Sequence, residues 1–368
     1  MPFKLLRTRR AAAQCHLSLL LLNLVPGLLL LPLLSRSAAA QKVVTHLPGF
    51  DGPLPFYLET GYVGVEEQTG TELFYYFVES ERSPATDPVV LWLTGGPRCS
   101  VFSGLAFEVG PVKFVLEPYI GGVGLPKLVH NPLSWTKMSS ILFLDSPVGS
   151  GFSYARDPKG YDVGDYSSSL QVQRFLNKWF TDHPQYLSNP FYLGGDSYAG
   201  MGYLVGNPKT DPKFDNNFKI QSAHGFGIIS DQIYEAARKN CKEDYVNPEN
   251  QMCAEVLHTI NSTYGYYLAY FWMNNNLTRD ALGIKEGTIG EWIRCNRGLP
   301  YTYEMPSSIP YHLNLTRRGY RALVYRFTIT YANNLTFATV KGGGHTASEY
   351  QPEECFAMAR RWLDLEPL

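Results

Sequence analysis

The sequence has no excess of charge of either sign and no stripe of basic residues. It contains 32 Lys and Arg residues against 33 Asp and Glu residues, which gives a formal net charge of −1. Proteins that track a phosphate backbone instead concentrate Lys and Arg on one face or along one segment. Nucleic acid is therefore not an expected partner of this chain.

Long apolar runs are missing after residue 34. The one long run spans residues 17–34, follows four basic residues and is succeeded by three alanines at residues 38–40. This order is typical of a secretory signal peptide, to which we assign residues 1–40. A run of this length is also close to the lower limit for a membrane span, so an uncleaved signal anchor is the alternative. Pro26 and Gly27 inside the run favour cleavage, and no later segment is apolar enough to span a bilayer.

Cysteine is scarce, and its count is odd. Loss of Cys15 with the signal peptide leaves five cysteines, namely Cys99, Cys241, Cys253, Cys295 and Cys355. Entry into the secretory pathway permits disulfides, and the odd count leaves one thiol free or paired between chains. Cys241 and Cys253 are the expected local pair, although spacing alone does not fix connectivity.

Acceptor sequences for N-glycosylation occur in the second half of the chain and not in the first two hundred residues. The four N-x-[ST] sequons begin at Asn261, Asn276, Asn314 and Asn334. Their clustering predicts a broad glycosylated surface on the C-terminal half, and the alternative is chance occurrence in an Asn-rich stretch. Together with the signal peptide, they predict an extracellular or vacuolar protein.

Apolar runs in the first two hundred residues alternate with one helical pattern. Residues 88–93, 140–144 and 190–195 are continuous apolar runs that end in turns with Gly or Pro, as expected of strands buried on both faces. Apolar residues recur at helical spacing over residues 166–182, which places a helix between two of these strands. Shorter runs between residues 43 and 78 predict hairpin strands. The pattern predicts an α/β fold with a largely parallel central sheet.

The second half of the chain changes character twice. Residues 240–318 are polar and Asn-rich and contain the two close cysteines, so we interpret them as a cap inserted into the core. Apolar runs return at residues 321–325 and 337–340, which we predict as strands, and residues 355–365 have the pattern of an amphipathic helix. One domain over residues 41–368, interrupted by this insertion, is therefore predicted.

One serine is flanked by the small residues of a sharp turn. Residues 195–200 read Gly-Asp-Ser-Tyr-Ala-Gly and follow a predicted strand. This is the layout of a nucleophile elbow, in which the turn leaves no room for large neighbours, so Ser197 is the candidate nucleophile. The motif departs from G-x-S-x-G because Ala199 stands where the second glycine is usual. A plain turn is the alternative.

A serine nucleophile needs a base and donors for the oxyanion, and the sequence offers candidates for both. His345 follows three glycines after the last predicted strand, in the hydrolase order of serine first and histidine last. Gly95 and Gly96 follow an early strand, and their size lets backbone N–H groups approach a ligand closely. The N–H groups of Gly96 and Tyr198 are the candidate oxyanion donors. Neither a cofactor nor a metal is expected.

Five motifs in this order resemble the serine carboxypeptidase-like proteins of plants and fungi, and the resemblance extends over residues 43–367. They are residues 91–100 (LWLTGGPRCS), 144–154 (LDSPVGSGFSY), 195–200 (GDSYAG), 202–208 (GYLVGNP) and 342–346 (GGGHT). The resemblance implies an α/β-hydrolase fold with a mixed central sheet and a cap. It also implies Ser197 as nucleophile, His345 as base, and the amides of Gly96 and Tyr198 as oxyanion donors.

The same resemblance implies a disulfide pattern. Its pairs are Cys99 with Cys295 and Cys241 with Cys253, which leaves Cys355 unpaired.

Two substrate-binding positions leave two reactions of that family open. Peptidases of the family have Asn and Glu, which hold the terminal carboxylate of the substrate, where this sequence has Thr94, next to Gly95, and Asp196. The same two residues resemble a plant branch that takes acyl groups from 1-O-glucose esters. The expected function is a serine acyl-enzyme reaction that releases C-terminal amino acids or transfers acyl groups from glucose esters. The expected substrate is thus a peptide C-terminus or an acyl glucose ester.

Three departures from the family pattern predict weakened catalysis. Arg98 replaces a small glycine and is expected to crowd the oxyanion hole. No aspartate lies between Asp280 and Asp364, so the segment with the triad aspartate is missing, a loss that costs roughly 10⁴ in rate. Residues 200–203 join the elbow directly to the next strand, where relatives have a long helix. A catalytically impaired secreted glycoprotein is therefore the alternative function.

Overall fold

Ten strands form one mixed sheet in the computed structural model, which describes most of the chain after residue 40. The described residues are 41–115, 124–197, 204–206, 220, 231–242, 244–245, 250–263, 267–305, 309–325, 329–331, 335–338, 340 and 346–367. Four predictions fall outside these ranges, namely the signal peptide over residues 1–40 and the roles of Tyr198, Asn334 and His345.

The strands include every apolar run that the sequence predicts as a strand. The first seven are β1 (Lys42–Val43), β2 (Leu58–Glu66), β3 (Thr71–Val78), β4 (Val89–Leu93), β5 (Val112–Phe114), β6 (Leu128–His130) and β7 (Ser140–Leu144). The others are β8 (Val163–Gly164), β9 (Phe191–Asp196), β10 (Leu204–Gly206), β11 (Tyr301–Thr302), β12 (Ala322–Tyr325), β13 (Ile329–Tyr331) and β14 (Leu335–Ala338). The last predicted run, residues 337–340, overlaps β14 but lies two residues later.

The main sheet is parallel in its centre and antiparallel at both edges. Its order is β1-β2-β3-β7-β4-β9-β10-β12-β14-β13. The six strands from β7 to β14 in this order run parallel to their neighbours. Strands β1, β2, β3 and β13 pair antiparallel. The predicted mixed sheet with a parallel centre is confirmed.

The described helices flank this sheet and fill the second half of the chain. They are α1 (Asp165–Asp182), α2 (Asp231–Cys241), α3 (Gln251–Thr263), α4 (Tyr267–Met273), α5 (Asn276–Leu282), α6 (Ile309–Arg317), α7 (Ala347–Tyr350) and α8 (Pro352–Leu363). The terminal helix starts three residues before its predicted start, because Pro352 is well suited to the first turn, where its missing N–H costs no bond. Within the described ranges, no helix is both long and apolar enough to cross a membrane.

Aromatic side chains build the core on both faces of the sheet. On one face, Phe175 and Trp179 of α1 pack against Tyr75 and Phe77 of β3, with ring centroids 5.7 and 4.9 Å apart. On the other face, Trp92 of β4 meets the ring of Trp135 edge-on at 5.4 Å. Buried aromatic rings contribute the largest apolar areas per residue, so these contacts fix how α1 lies on the sheet.

A buried ion pair joins the end of α1 to β2. His183 Nδ1 lies 2.8 Å from the Trp179 carbonyl oxygen, and His183 Nε2 lies 3.0 Å from Glu59 Oε1. Both neighbours are acceptors, so the arrangement suits the protonated imidazole, which donates from both nitrogens. Burial alone would lower the pKa of His183, but the bond to Glu59 raises it overall. Tyr75 also donates to Glu59, at 2.7 Å.

The residues interpreted as a cap are tied to the core at their C-terminal end. Strand β11 pairs in parallel with β8. Asp165, at the start of α1, accepts the N–H groups of Glu304 and Met305 at 2.7 and 2.8 Å. Glu304 accepts the N–H of Tyr166 at 2.9 Å in return. At the other end of the region, α2 begins nine residues before the predicted boundary at residue 240. The interpretation of residues 240–318 as an inserted cap stays a prediction.

Candidate active site

Ser197 lies at the carboxyl end of β9 with the backbone conformation of a sharp turn. Its φ is 59°, in the left-handed region that residues other than glycine adopt only at a cost in free energy. Strand β9 lies between β4 and β10 near the middle of the sheet. The candidate nucleophile is therefore half-buried at the carboxyl edge of the parallel strands.

The loop with the paired glycines follows β4, the parallel neighbour of β9. Leu93 lies beside Gly195 in the register of the two strands, so this loop and Ser197 leave the sheet at the same edge. Gly96 has a φ of 122°, and a Cβ atom there would lie 2.7 Å from Cys99 Sγ. Only glycine fits this position. The fold thus brings a candidate oxyanion donor and the candidate nucleophile to the same edge of the sheet.

The Arg98 side chain reaches the carbonyl groups of three other segments. It is 1% exposed, and its guanidinium donates to the backbone oxygens of Val148, Tyr161 and Pro300. Burial lowers the pKa of Arg98. Its φ of 67° is one that glycine adopts readily and arginine does not. The side chain expected to crowd the oxyanion hole instead tethers the glycine loop to its surroundings.

A disulfide and two backbone hydrogen bonds hold the same loop. Cys99 is bonded to Cys295. On either side of this bond, Ser100 N–H donates to the Arg294 carbonyl at 2.7 Å, and Asn296 N–H donates to the Arg98 carbonyl at 2.9 Å. The pair Cys241–Cys253 is also formed, and Cys355 is free and buried. These are the pairs that the resemblance implies.

Asp145, which the sequence analysis missed, holds the chain just after the glycine loop. Its carboxyl accepts the Ser100 hydroxyl at 2.9 Å, the Val101 N–H at 2.8 Å and the Phe152 N–H at 2.9 Å. The group is fully buried, and burial raises its pKa to about 7. Its place directly after an apolar strand, inside the second motif, was the signal that could have identified it.

A second missed carboxyl, that of Glu108, lies near Asp196. Glu108 accepts the indole N–H of Trp92 at 2.8 Å. Burial raises the pKa of both carboxyls, and the neighbouring charge of Glu108 raises that of Asp196 further. The positive charge of Arg294 partly offsets these shifts. The site therefore contains carboxyl groups that hold protons more tightly than exposed ones.

Thr346 contacts the residue that precedes Ser197. Its side-chain hydroxyl donates to the Asp196 carboxyl, and Thr346 is 6% exposed. Asp196 directly precedes Ser197, and Thr346 directly follows His345, which lies outside the described residues. The neighbours of the two candidate catalytic residues are thus in contact. Thr94 lies near the same edge, and its hydroxyl has no hydrogen-bond partner among the described residues.

The connection after β12 contains no carboxylate that could orient the histidine. Residues 326–334, which join β12 to β14, contain neither Asp nor Glu. The two nearest aspartates in the sequence lie in other elements of the structure. Asp364 pairs with Arg82 at 3.1 Å, and Asp280 is exposed on α5.

The connection after the elbow is unusually short. Strands β9 and β10 are parallel neighbours, with Leu204 beside Gly194, yet residues 197–203 are all that join them. Parallel neighbours normally need a crossover of about a dozen residues or more, usually with a helix. Seven residues are fewer than such a crossover normally contains, as expected from the missing long helix.

Comparison with known proteins gives one consistent result. A family profile described as serine carboxypeptidase matches residues 48–202, 201–270 and 326–365. Serine carboxypeptidase-like 3 of Arabidopsis thaliana is 41% identical, with 90% of this chain and 94% of the relative covered. Serine carboxypeptidase-like 5 of Arabidopsis thaliana is 38% identical, with 96% and 99% covered.

A solved structure supports the fold. A prohormone-processing carboxypeptidase from Saccharomyces cerevisiae superposes with a TM-score of 0.61 at 17% identity, covering 88% of this chain and 95% of that one. The fold is that of the α/β hydrolases, as the sequence predicts.

The relatives also contain segments that this chain lacks. The alignment with serine carboxypeptidase-like 5 runs over 438 positions, whereas the chain has 368 residues. At least 70 aligned positions, the difference between these numbers, therefore have no residue here. Two matched segments of the profile meet at residues 201–202, inside the short connection between β9 and β10.

Proposed function

Because this chain belongs to the serine carboxypeptidase family, we propose that it carries out serine acyl-enzyme chemistry with Ser197 as nucleophile and His345 as base. The observation that carries this proposal is the left-handed backbone of Ser197 at the carboxyl end of β9, beside the glycine loop that follows β4. A serine in this position presents its hydroxyl to an incoming carbonyl group.

The proposed reaction has two stages. Ser197 Oγ attacks the substrate carbonyl while His345 takes its proton, and the amides of Gly96 and Tyr198 hold the oxyanion. The leaving group departs with the proton, and the acyl group stays on the serine. Water then releases the acid, or another nucleophile takes the acyl group.

The carboxyl groups beside the elbow favour a substrate with a terminal carboxylate. Buried carboxyls with raised pKa values keep their protons and can donate hydrogen bonds, which suits Asp196 and Glu108. Thr94, whose hydroxyl has no hydrogen-bond partner in the described part of the chain, and the adjacent Gly95 complete the proposed binding position. Release of a C-terminal amino acid from a peptide is therefore the first candidate reaction. Transfer from an acyl glucose ester is the second, because sugar hydroxyls suit the same groups.

We expect turnover to be slow. The absence of a carboxylate from residues 326–334 removes the group that orients the histidine, at a cost of roughly 10⁴ in rate. The connection of seven residues after β9 is also shorter than the long helix that we expect relatives to have there. These two observations favour a second candidate function, that of a secreted glycoprotein which keeps the cleft but has lost catalysis.

The proposed location is the secretory pathway, with the extracellular space or the vacuole as destination. Asn276 and Asn314 are exposed, as glycosylation acceptors must be. The two disulfides suit an oxidising compartment.

Labelling with a fluorophosphonate tests the proposal directly. The full chain is expressed through a secretory pathway, and the stoichiometry of labelling is compared with that of Ser197→Ala. Labelling that the substitution abolishes is the expected result. A folded, glycosylated protein that takes up no label would instead support the noncatalytic function. For a labelled protein, a blocked dipeptide and an acyl glucose then separate hydrolysis from transfer.

A further inference from the structure

Gln41 lies exposed at the start of an edge strand. The next two residues form β1, which is the first strand in the order of the main sheet. Gln41 directly follows the three alanines at residues 38–40, where the signal peptide is expected to be cleaved. Cleavage after Ala40 makes Gln41 the N-terminal residue of the mature protein.

The pairing of β1 with β2 shows which way the backbone nitrogen of Gln41 faces. In an antiparallel pair, hydrogen-bonded and non-hydrogen-bonded positions alternate. The N–H of Val44 donates to the Leu58 carbonyl at 2.8 Å, and Lys42 lies opposite Thr60. Val44 and Lys42 therefore occupy hydrogen-bonded positions. Gln41 occupies a non-hydrogen-bonded position, so its backbone N–H points away from β2. The sheet does not use the nitrogen of Gln41.

We propose that the mature protein carries a pyroglutamate at position 41. The free α-amino nitrogen of Gln41 attacks its own side-chain amide carbon Cδ, and a five-membered lactam ring forms. The side-chain nitrogen leaves as ammonia, which takes up the proton that the amine loses. The step is an exchange of one amide for another, so it consumes no oxidant, reductant or second substrate.

Formation of this ring leaves the anchors of β1 in place. Lys42 anchors the strand immediately after it, through its pairing with Thr60 and through a hydrogen bond from its ammonium group to the Asp280 carbonyl. Because Gln41 is exposed, its side chain can fold back on its own amine. Cyclisation also removes the positive charge of the α-amine, and it leaves aminopeptidases without the free amine that they require.

This inference rests on cleavage after Ala40, which is part of the proposed secretory entry. The full chain is secreted from plant cells, and its N-terminal peptide is identified by mass spectrometry at several times after secretion. The expected peptide begins at residue 41 and is lighter than its glutaminyl form by one ammonia from the earliest time point onward. The secreted protein should also resist stepwise removal of residues by an aminopeptidase until the lactam is removed enzymatically.

Gln41→Asn is the matched control, because its side chain is one methylene shorter and would need a four-membered ring. This variant should keep its ammonia and be degraded by the aminopeptidase. An unmodified glutamine at the N-terminus of the wild-type protein would overturn the inference and leave the cleavage intact. An N-terminus at any other residue would overturn both the inference and the predicted cleavage site.

Discussion

Replacing Asp145 by asparagine should change the pH dependence of stability in a way that follows from the burial of its carboxyl group. The three donors to this group, one hydroxyl and two backbone N–H groups, are all uncharged. Burial raises the pKa of Asp145 from its ordinary value of 3.8 to about 7. Between these two pH values the folded protein holds a proton that the unfolded chain has released.

The size of the effect follows from the pKa shift. One pKa unit corresponds to about 1.4 kcal/mol, so this rise amounts to about 4 kcal/mol. Because the unfolded state binds fewer protons in this window, the free energy of unfolding falls as the pH rises from about 4 to about 7. Asparagine does not titrate, and a variant with Asp145→Asn escapes this loss. The difference in the free energy of unfolding between the wild-type protein and the variant should therefore shrink by about 4 kcal/mol between pH 4 and pH 8.

Urea unfolding followed by tryptophan fluorescence at several pH values measures this difference. Asp87→Asn is the control, because Asp87 is also buried but has the opposite shift. Burial raises the pKa of Asp87, yet its bond to Arg82 lowers the pKa overall. Its stabilising effect is therefore lost as the pH falls, and the wild-type advantage over this variant should grow with pH. A wild-type advantage over Asp145→Asn that stays constant from pH 4 to pH 8 would refute the reasoning.

Three further predictions use the same unfolding assay. His183→Gln should lower the free energy of unfolding most near pH 5, and this loss of stability should shrink at alkaline pH. The reason is that the pKa of His183 is raised, and its ion pair with Glu59 is lost as the pH rises through that pKa. A loss of stability that is independent of pH would contradict the ion pair. Arg98→Gly should be more stable than Arg98→Ala by about 1 kcal/mol, because both lose the tether and only glycine relieves the left-handed backbone; equal stabilities would contradict this. Removing the disulfide Cys99–Cys295, whose residues lie 196 positions apart, should lower the free energy of unfolding by about 5 kcal/mol if chain entropy is the cause. Removing Cys241–Cys253, at 12 positions, should lower it by about 3 kcal/mol. The reverse order would exclude loop closure as the main cause.

The strands could be predicted from the sequence because their signals are local. Residues 89–93 and 141–144 are apolar at every position, which is what burial on both faces requires. The small residues around Ser197 likewise predict a sharp turn, and the backbone of Ser197 itself is left-handed. The start of α8 was placed too late because the helical pattern of apolar residues begins inside the helix, after Pro352.

The missed parts of the site depend on contacts between distant segments. In the sequence, Asp145 is an ordinary residue after a strand. In the structure, Ser100 and Phe152 donate to its carboxyl from two separate segments. The sequence shows that Arg98 replaces a glycine, but its acceptor on Pro300 lies 202 positions away. The spacing of residues along the chain does not indicate such contacts. The burial and the hydrogen-bond partners of these groups therefore could not be predicted from the sequence.

The tethers of the glycine loop set an order of events during biosynthesis. The loop is held by residues 294–300, through the disulfide, two backbone hydrogen bonds and the Arg98 guanidinium. At about 5–20 residues per second, the ribosome needs roughly 10–40 s to extend the chain across the two hundred positions between these segments. During that time the nascent chain has its glycine loop but not the residues that fix it. The edge of the sheet that bears Ser197 can therefore be completed only after most of the chain has been synthesised.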